Sequence, residues 1–232
     1  MARILKILVG LALLASAARA QTISPVIVEY REKAQGKFQL FNDSDFPLNV
    51  VLEPQSFTVN SDGAPTFHAL DPSIHVRLST MSFRLAPRQT YTVFYQANAD
   101  SLPAWFVVYA TVTGAVTQEG IKIALELPHT VYLLTKKPPT VEAVVWHRAE
   151  EVNDKRQIQA EVENRGAEFS RVQEVEVTST SGKKLYPGFP LFPGQRRSFQ
   201  LEWDQPGEPQ QIVLKFARFK SESPIRKVSS TP

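Results

Sequence analysis

Apolar and polar residues alternate through Gly120-Ile121-Lys122-Ile123-Ala124-Leu125-Glu126-Leu127. A strand sends successive side chains to opposite faces, so Ile121, Ile123, Leu125 and Leu127 form one row and Lys122, Ala124 and Glu126 the other. The apolar row must find cover. It is either the inner face of a core strand or a row lent to another protein at a sheet edge. In strand addition, backbone hydrogen bonds give affinity and alternate side chains give specificity. The pattern alone leaves both readings open.

Branched and aromatic residues concentrate in the same way at Lys37–Phe41, Leu48–Leu52, Tyr91–Tyr95 and Trp105–Val112. Turn clusters bound these runs at Asn42-Asp43-Ser44-Asp45, Asn60-Ser61-Asp62-Gly63 and Asn98-Ala99-Asp100. No amphipathic helix of ten or more residues is evident, so the chain reads as all-β, built as antiparallel sandwiches. Lys136-Lys137-Pro138-Pro139-Thr140 interrupts the pattern. Its prolines resist regular pairing and push their predecessors towards extended geometry, which predicts a short, stiff connector. Further strands are predicted at Val141–Trp146, Gln157–Glu163, Val172–Thr178, Ser198–Trp203 and Ile212–Phe216. The expected organisation is a first domain over residues 21–137, a second over 138–220, and a flexible polar tail over 221–232.

The halves share a faint repeat. Each has a strand ending in Asn, a small turn and then Phe, from Phe38 to Phe46 and from Ile158 to Phe169. Each later has a Pro-x-Gln turn before an aromatic-rich strand, at Pro87-Arg88-Gln89 and Pro193-Gly194-Gln195. The longer interval in the first half predicts an extra strand or loop between Asn60 and Ser73.

Composition narrows the class. Arg3 and Lys6, the apolar run Ile7–Ala15 and the small-x-small site Ala18-Arg19-Ala20 read as a cleavable leader over residues 1–20. The chain has no cysteine, so stability in an oxidising compartment rests on apolar burial. Arg3, Lys6 and Arg19 account for the whole formal charge of +3, which leaves the chain from Gln21 formally neutral and argues against nucleic-acid binding. His68, His75, His129 and His147 show no close metal-ligand spacing. Neither a Gly-x-Ser-x-Gly elbow nor a glycine-rich phosphate loop occurs. No enzyme activity, metal or cofactor is expected. Trp105, Trp146 and Trp203 read as core.

Several of these residues resemble the periplasmic pilus-assembly chaperones, the PapD-like family. Ser82-Phe83-Arg84-Leu85-Ala86-Pro87-Arg88-Gln89 is similar to that family's Phe-Arg-Leu-x-Pro-Gly-Gln turn, with Arg88 in place of glycine. Leu102-Pro103-Ala104-Trp105 resembles its Leu-Pro entry into an aromatic strand, and residues 121–127 resemble its donor strand, continued by Thr130–Leu134. The likeness covers most of residues 23–137 and is thin beyond.

The resemblance implies two immunoglobulin-like sandwich domains in the periplasm. It also implies a fimbrial or other surface-structure subunit as client, stabilised by donation of Ile121, Ile123, Leu125 and Leu127, and an outer-membrane assembly platform as a further partner. Family members use an Arg near the first strand and a Lys near the end of the donor strand to grip the client's terminal carboxylate. Arg31 is the candidate for the first. The second position falls near Thr130 or Val131, neither of them basic, and the acidic-basic stretch after the Leu-Pro element is missing. Two readings remain at this point: a divergent chaperone that anchors its client differently, and an exported structural or adhesive protein of two immunoglobulin-like domains.

Overall fold

The computed structural model describes residues 22–116, 122–152 and 156–228. The expected leader and Ile121 lie outside them. The first half comprises β1 (Thr22–Ser24), β2 (Ile27–Arg31), β3 (Ala34–Phe41), β4 (Leu48–Val59), β5 (Pro65–Ala69), β6 (Ile74–Leu78), β7 (Ser82–Leu85), β8 (Thr90–Ala99), β9 (Ala104–Val116) and β10 (Lys122–Leu134). One sheet runs β1-β3-β8-β6 and the other β2-β10-β9-β4-β5, with β7 also on β4. Period-two alternation explains the packing. Along β3, Phe38 and Leu40 are buried while Lys37 and Gln39 are exposed. Val93, Phe106, Val108, Val131 and Leu133 meet them from the other strands to form one core.

The second half comprises β11 (Val144–Val152), β12 (Gln157–Asn164), β13 (Ser170–Arg171), β14 (Glu174–Ser179), β15 (Gly182–Pro187), β16 (Pro190–Leu191), β17 (Arg196–Glu202), β18 (Pro209–Lys215), β19 (Lys220–Pro224) and β20 (Arg226–Val228). Sheets β17-β12-β11-β20 and β15-β14-β18-β19 close a second core around Ile158, Val162, Trp203, Ile212 and Leu214, with β13-β16 as a small ribbon. The architecture is two immunoglobulin-like β-sandwiches joined by a short connector. Among the described residues the only helical element is a 3-10 turn at Val141–Ala143, where a strand was expected to begin; β11 starts at Val144.

The repeat marks a shared hydrogen-bond lock. The Asn42 side-chain amide donates to the carbonyls of Phe46, Leu85 and Ala86, and its Oδ1 accepts from the Ser44 amide. Asn164 donates to Glu168 and Leu191, and its Oδ1 accepts from the Gly166 amide. Both asparagines are fully buried. The glutamines of the Pro-x-Gln turns do equivalent work: Gln89 Oε1 accepts from the Ala86 amide and Gln195 Oε1 from the Phe192 amide. Arg88, in the glycine position of the resemblance, has left-handed backbone (φ 59°), which a side chain adopts at some cost. Its guanidinium pairs with Asp43 and Asp45.

One expectation needs correction. The tail from 221 was expected to be flexible, but β19 pairs antiparallel with β18, and β20 pairs parallel with β11 through Val228. Its polarity concealed a strand held by backbone bonds and by Ser221, which is buried and accepts from Trp146 Nε1. His68 and His75 lie on β5 and β6. β5 supplies the extra strand expected between Asn60 and Ser73.

Candidate functional site: the β10 edge and the seam between sandwiches

β10 is a 13-residue strand with unequal edges. One side pairs antiparallel with β9 from Lys122 to Leu133. The other side pairs parallel with β2, but only from Thr130 to Leu134. From Lys122 to Pro128, no strand among the described residues pairs with that outer edge, so its outward amides and carbonyls stand unclaimed by a ladder. The edge bends at a bulge opposite Ala124, where β9 carries Thr113 and Gly114 against one residue. Gly114 has φ 100°, a backbone conformation that side chains rarely adopt, so glycine suits this bend.

The sequence-predicted row divides along this strand. Ile123 is in register with Ala115, Leu125 with Val112 and Leu127 with Ala110. Leu125 and Leu127 are half-buried at the rim of the first core, while Ala124 and Glu126 on the other face are exposed. The same row continues inward as His129, Val131 and Leu133, all fully buried. The row therefore changes character along one strand. Its C-terminal half is core and its N-terminal half is rim.

His129 anchors the transition. Its ring stacks on Phe38 at 4.6 Å. Nδ1 lies 2.7 Å from the Pro25 carbonyl and must donate to it, which leaves Nε2 to accept from the Tyr95 hydroxyl at 3.0 Å. Tyr95 shares a 3.3 Å hydrogen bond with Tyr30. Burial pushes the imidazole below its ordinary value, opposed by the Pro25 hydrogen bond. Burial also drives the Tyr95 phenol well up, with the Tyr30 hydrogen bond acting in the same direction. The signal in the sequence was parity: His129 sits in the apolar row.

The opposite face of β9 and β10 meets the second sandwich. Phe57, Val107 and Tyr132 pack with Phe169 and Phe192, and Trp105 lies 4.6 Å from Phe192 between ring centroids. Arg171 lies 5.0 Å over the Tyr132 ring and pairs with Glu29. The turn between β4 and β5 also docks: Gln195 Nε2 donates to the Asn60 carbonyl at 2.9 Å, and the Ser198 amide to the Ser61 carbonyl at 2.8 Å. Gly63 makes room for Arg197, whose guanidinium fills the place of a Cβ.

Arg31 ends β2 at the connector. Its Nη1 donates to the carbonyls of Thr135 (2.9 Å) and Lys136 (3.1 Å). Glu29 is taken by Arg171 and Glu32 by Lys136, so Arg31 has no ion-pair partner among the described residues. The chain thus offers one strand edge with an apolar rim and one uncompensated guanidinium where that strand ends. No group of His, Asp or Glu suited to a metal occurs among the described residues.

Solved structures share this two-sandwich fold. The class 5 fimbriae chaperone CfaA aligns with a TM-score of 0.56 at 10% identity, covering 90% of this chain and 100% of that one. The fold here is that of the PapD-like fimbrial chaperones. The YadV chaperone aligns with a TM-score of 0.54 at 12% identity, covering 88% of this chain and 98% of that one. A chain from the complex of Salmonella enterica SafA pilin with the SafB chaperone aligns with a TM-score of 0.53 at 14% identity, covering 91% of this chain and 97% of that one. No family model and no curated protein sequence matches this chain. The PapD-like fold extends through the second sandwich, where the sequence resemblance was thin.

Proposed function

We propose that this protein is a non-enzymatic periplasmic chaperone that holds a strand-deficient fimbrial or surface-structure subunit along the outer edge of β10. The observation that carries this reading is an unpaired backbone edge from Lys122 to Pro128 coinciding with an apolar row. A subunit missing its last strand has a groove and two unpaired edges, an aggregation hazard that a borrowed strand removes. Ile121, Ile123, Leu125 and Leu127 are the donated side chains. Each contributes roughly 1.5–3 kcal/mol on full burial, less for Leu125 and Leu127, which are already half-buried. Arg31 is the anchor for the client's terminal carboxylate, since neither neighbouring acid neutralises it and a guanidinium suits a carboxylate fork. Neighbouring structures hold such chaperones with a tip adhesin or a pilin, which supports a subunit as the client. An outer-membrane platform is the acceptor to which the subunit passes.

The test is co-purification of the tagged protein from exported fractions of its native cell, followed by mass spectrometry. Recovery of a small β-rich exported protein lacking its final strand supports the reading and identifies the client. Self-assembly without a client moves the protein to the structural or adhesive class. With the client in hand, Ile123→Asp abolishes capture, and undiminished capture by the exported variant refutes strand donation. Arg31→Ala weakens capture of the native client more than of one with an amidated C-terminus. Equal losses remove Arg31 from the anchor role.

A further inference from the structure

The sheet opposite β10 holds a second feature. A concavity of about 730 Å3 opens beside β3, β8 and β6, lined among others by Lys37, Arg77, Phe94, Gln96 and Tyr30. Register explains why they share it. Lys37 lies opposite Phe94 across β3 and β8, and Gln96 opposite Arg77 across β8 and β6, all on the exposed face. Both charged residues are cations, no lining residue is acidic, and neither Lys37 nor Arg77 has an ion-pair partner among the described residues. Elsewhere Arg88, Lys136, Arg171 and Lys215 are paired with carboxylates. Phe94 stands 58% exposed in mid-strand. Tyr30 and Tyr95 come close because Gly36 has no Cβ to collide with them. The concavity borders β6, which pairs with β8 on one side and with no strand among the described residues on the other.

We propose that this face is a second binding site, for an extended acidic peptide segment that also bears an apolar side chain. The peptide pairs with the free edge of β6, where Arg77 holds a carboxylate across the new pair and an apolar side chain leans over the sheet towards Phe94; Lys37, two strands further in, adds positive field without direct contact. A strand edge selects a peptide over a free anion, and two cations without an acid select a negatively charged one. The site lies on a different sheet from β10 and does not depend on the strand-donation reading.

The test titrates the purified protein, observed by amide NMR, with acetyl-Glu-Leu-Glu-Leu-Glu-amide, its Gln-for-Glu counterpart and citrate. The acidic peptide shifts amides in β3, β6 and β8. The Lys37→Glu/Arg77→Glu variant binds it about tenfold or more weakly, as loss of the Arg77 contact and reversal of both charges predicts. Phe94→Ser weakens it by a smaller factor. All three positions are exposed, and unchanged thermal unfolding verifies that the variants fold. Equal binding of the Gln peptide, citrate binding as tight as the acidic peptide, undiminished binding by the charge-reversed variant, or shifts centred on β10 would each overturn the proposal. So would no binding at millimolar peptide.

Discussion

Each sandwich leaves one edge of its closing strand unpaired, and the two edges are dressed differently. In the second sandwich β19 is five residues long, Lys-Ser-Glu-Ser-Pro, with no large apolar side chain. Short, polar edges carrying proline discourage pairing with another chain. In the first sandwich β10 runs 13 residues and sets Ile123, Leu125 and Leu127 along its unpaired stretch. Beyond these edges the chain pairs in parallel with an early strand of the same sandwich: β10 itself with β2, and β20, which follows β19 into the other sheet, with β11. Among the described residues each sandwich thus keeps an open edge beside this closure. The two edges differ in length and in whether they carry an apolar row.

The largest expected effect comes from giving β10 the edge chemistry of β19. Leu125→Ser with Leu127→Ser removes two apolar side chains from a client groove, a loss on the order of 3 kcal/mol and more than a hundredfold in client affinity. Ser223→Leu on β19 gives that edge one apolar residue and leaves client affinity unchanged. Titration of immobilised client against both variants measures the difference. Similar losses in both would mean that edge chemistry is not what distinguishes the sandwiches.

The asparagine locks rank next. Asn42→Ala leaves the Phe46, Leu85 and Ala86 carbonyls without their donor, whereas Asn164→Ala frees two, those of Glu168 and Leu191. Buried groups left unpaired cost about 1–3 kcal/mol each before relaxation. Asn42→Ala is therefore expected to cost roughly 2–4 kcal/mol and Asn164→Ala somewhat less, read as midpoint shifts in urea. Only the first should also reduce client capture, because only that sandwich carries the open apolar edge. Equal loss of capture in both would show that the second sandwich shapes the edge through the aromatic seam.

These locks were legible in the sequence as an Asn–turn–Phe repeat, because the same backbone problem was solved twice with the same residues. The β10 row was legible for a similar reason, since period two is a local property. The seam was not. Trp105–Val112 reads as one apolar run, and nothing local says that Phe106, Val108 and Ala110 face the first core while Val107 faces the second sandwich. Arg31 could be read only beside its neighbours Glu29 and Glu32. The partner that removes Glu29, Arg171, lies 142 residues away. β19 and β20 escaped notice because their pairing rests on backbone groups, which leave little trace in side-chain pattern.

The smallest expected effect is a difference in pH response. His129 in the first sandwich is held below its ordinary value of 6.5, chiefly by burial. A depressed imidazole binds fewer protons folded than unfolded. Its contribution is therefore fully present above about 6.5 and is lost as pH falls below that value, at no more than about 1.4 kcal/mol per pH unit. Tyr95 and Phe38 face the ring, together with the Pro25 carbonyl, and Tyr30 bonds to Tyr95 behind them; none of them carries a charge to oppose the loss. In the second sandwich Glu163, Glu176 and Asp204 are each lowered first by a side-chain hydrogen bond, from His147, Lys215 and Lys184 respectively, and Glu142 at its entry is lowered first by a hydrogen bond from its own backbone. Their contribution holds above the ordinary carboxylate range and fades only below about 4.5. Between pH 6.5 and 5 the first sandwich should soften while the second does not. Hydrogen exchange followed across that interval, corrected for the intrinsic pH dependence of amide exchange, should show falling protection factors in β3, β8 and β10 and constant ones in β12, β14 and β18. His129→Gln, which keeps hydrogen-bonding capacity without a titrating group, should flatten the response of the first sandwich. A response that survives this substitution would place the sensing group elsewhere in that core.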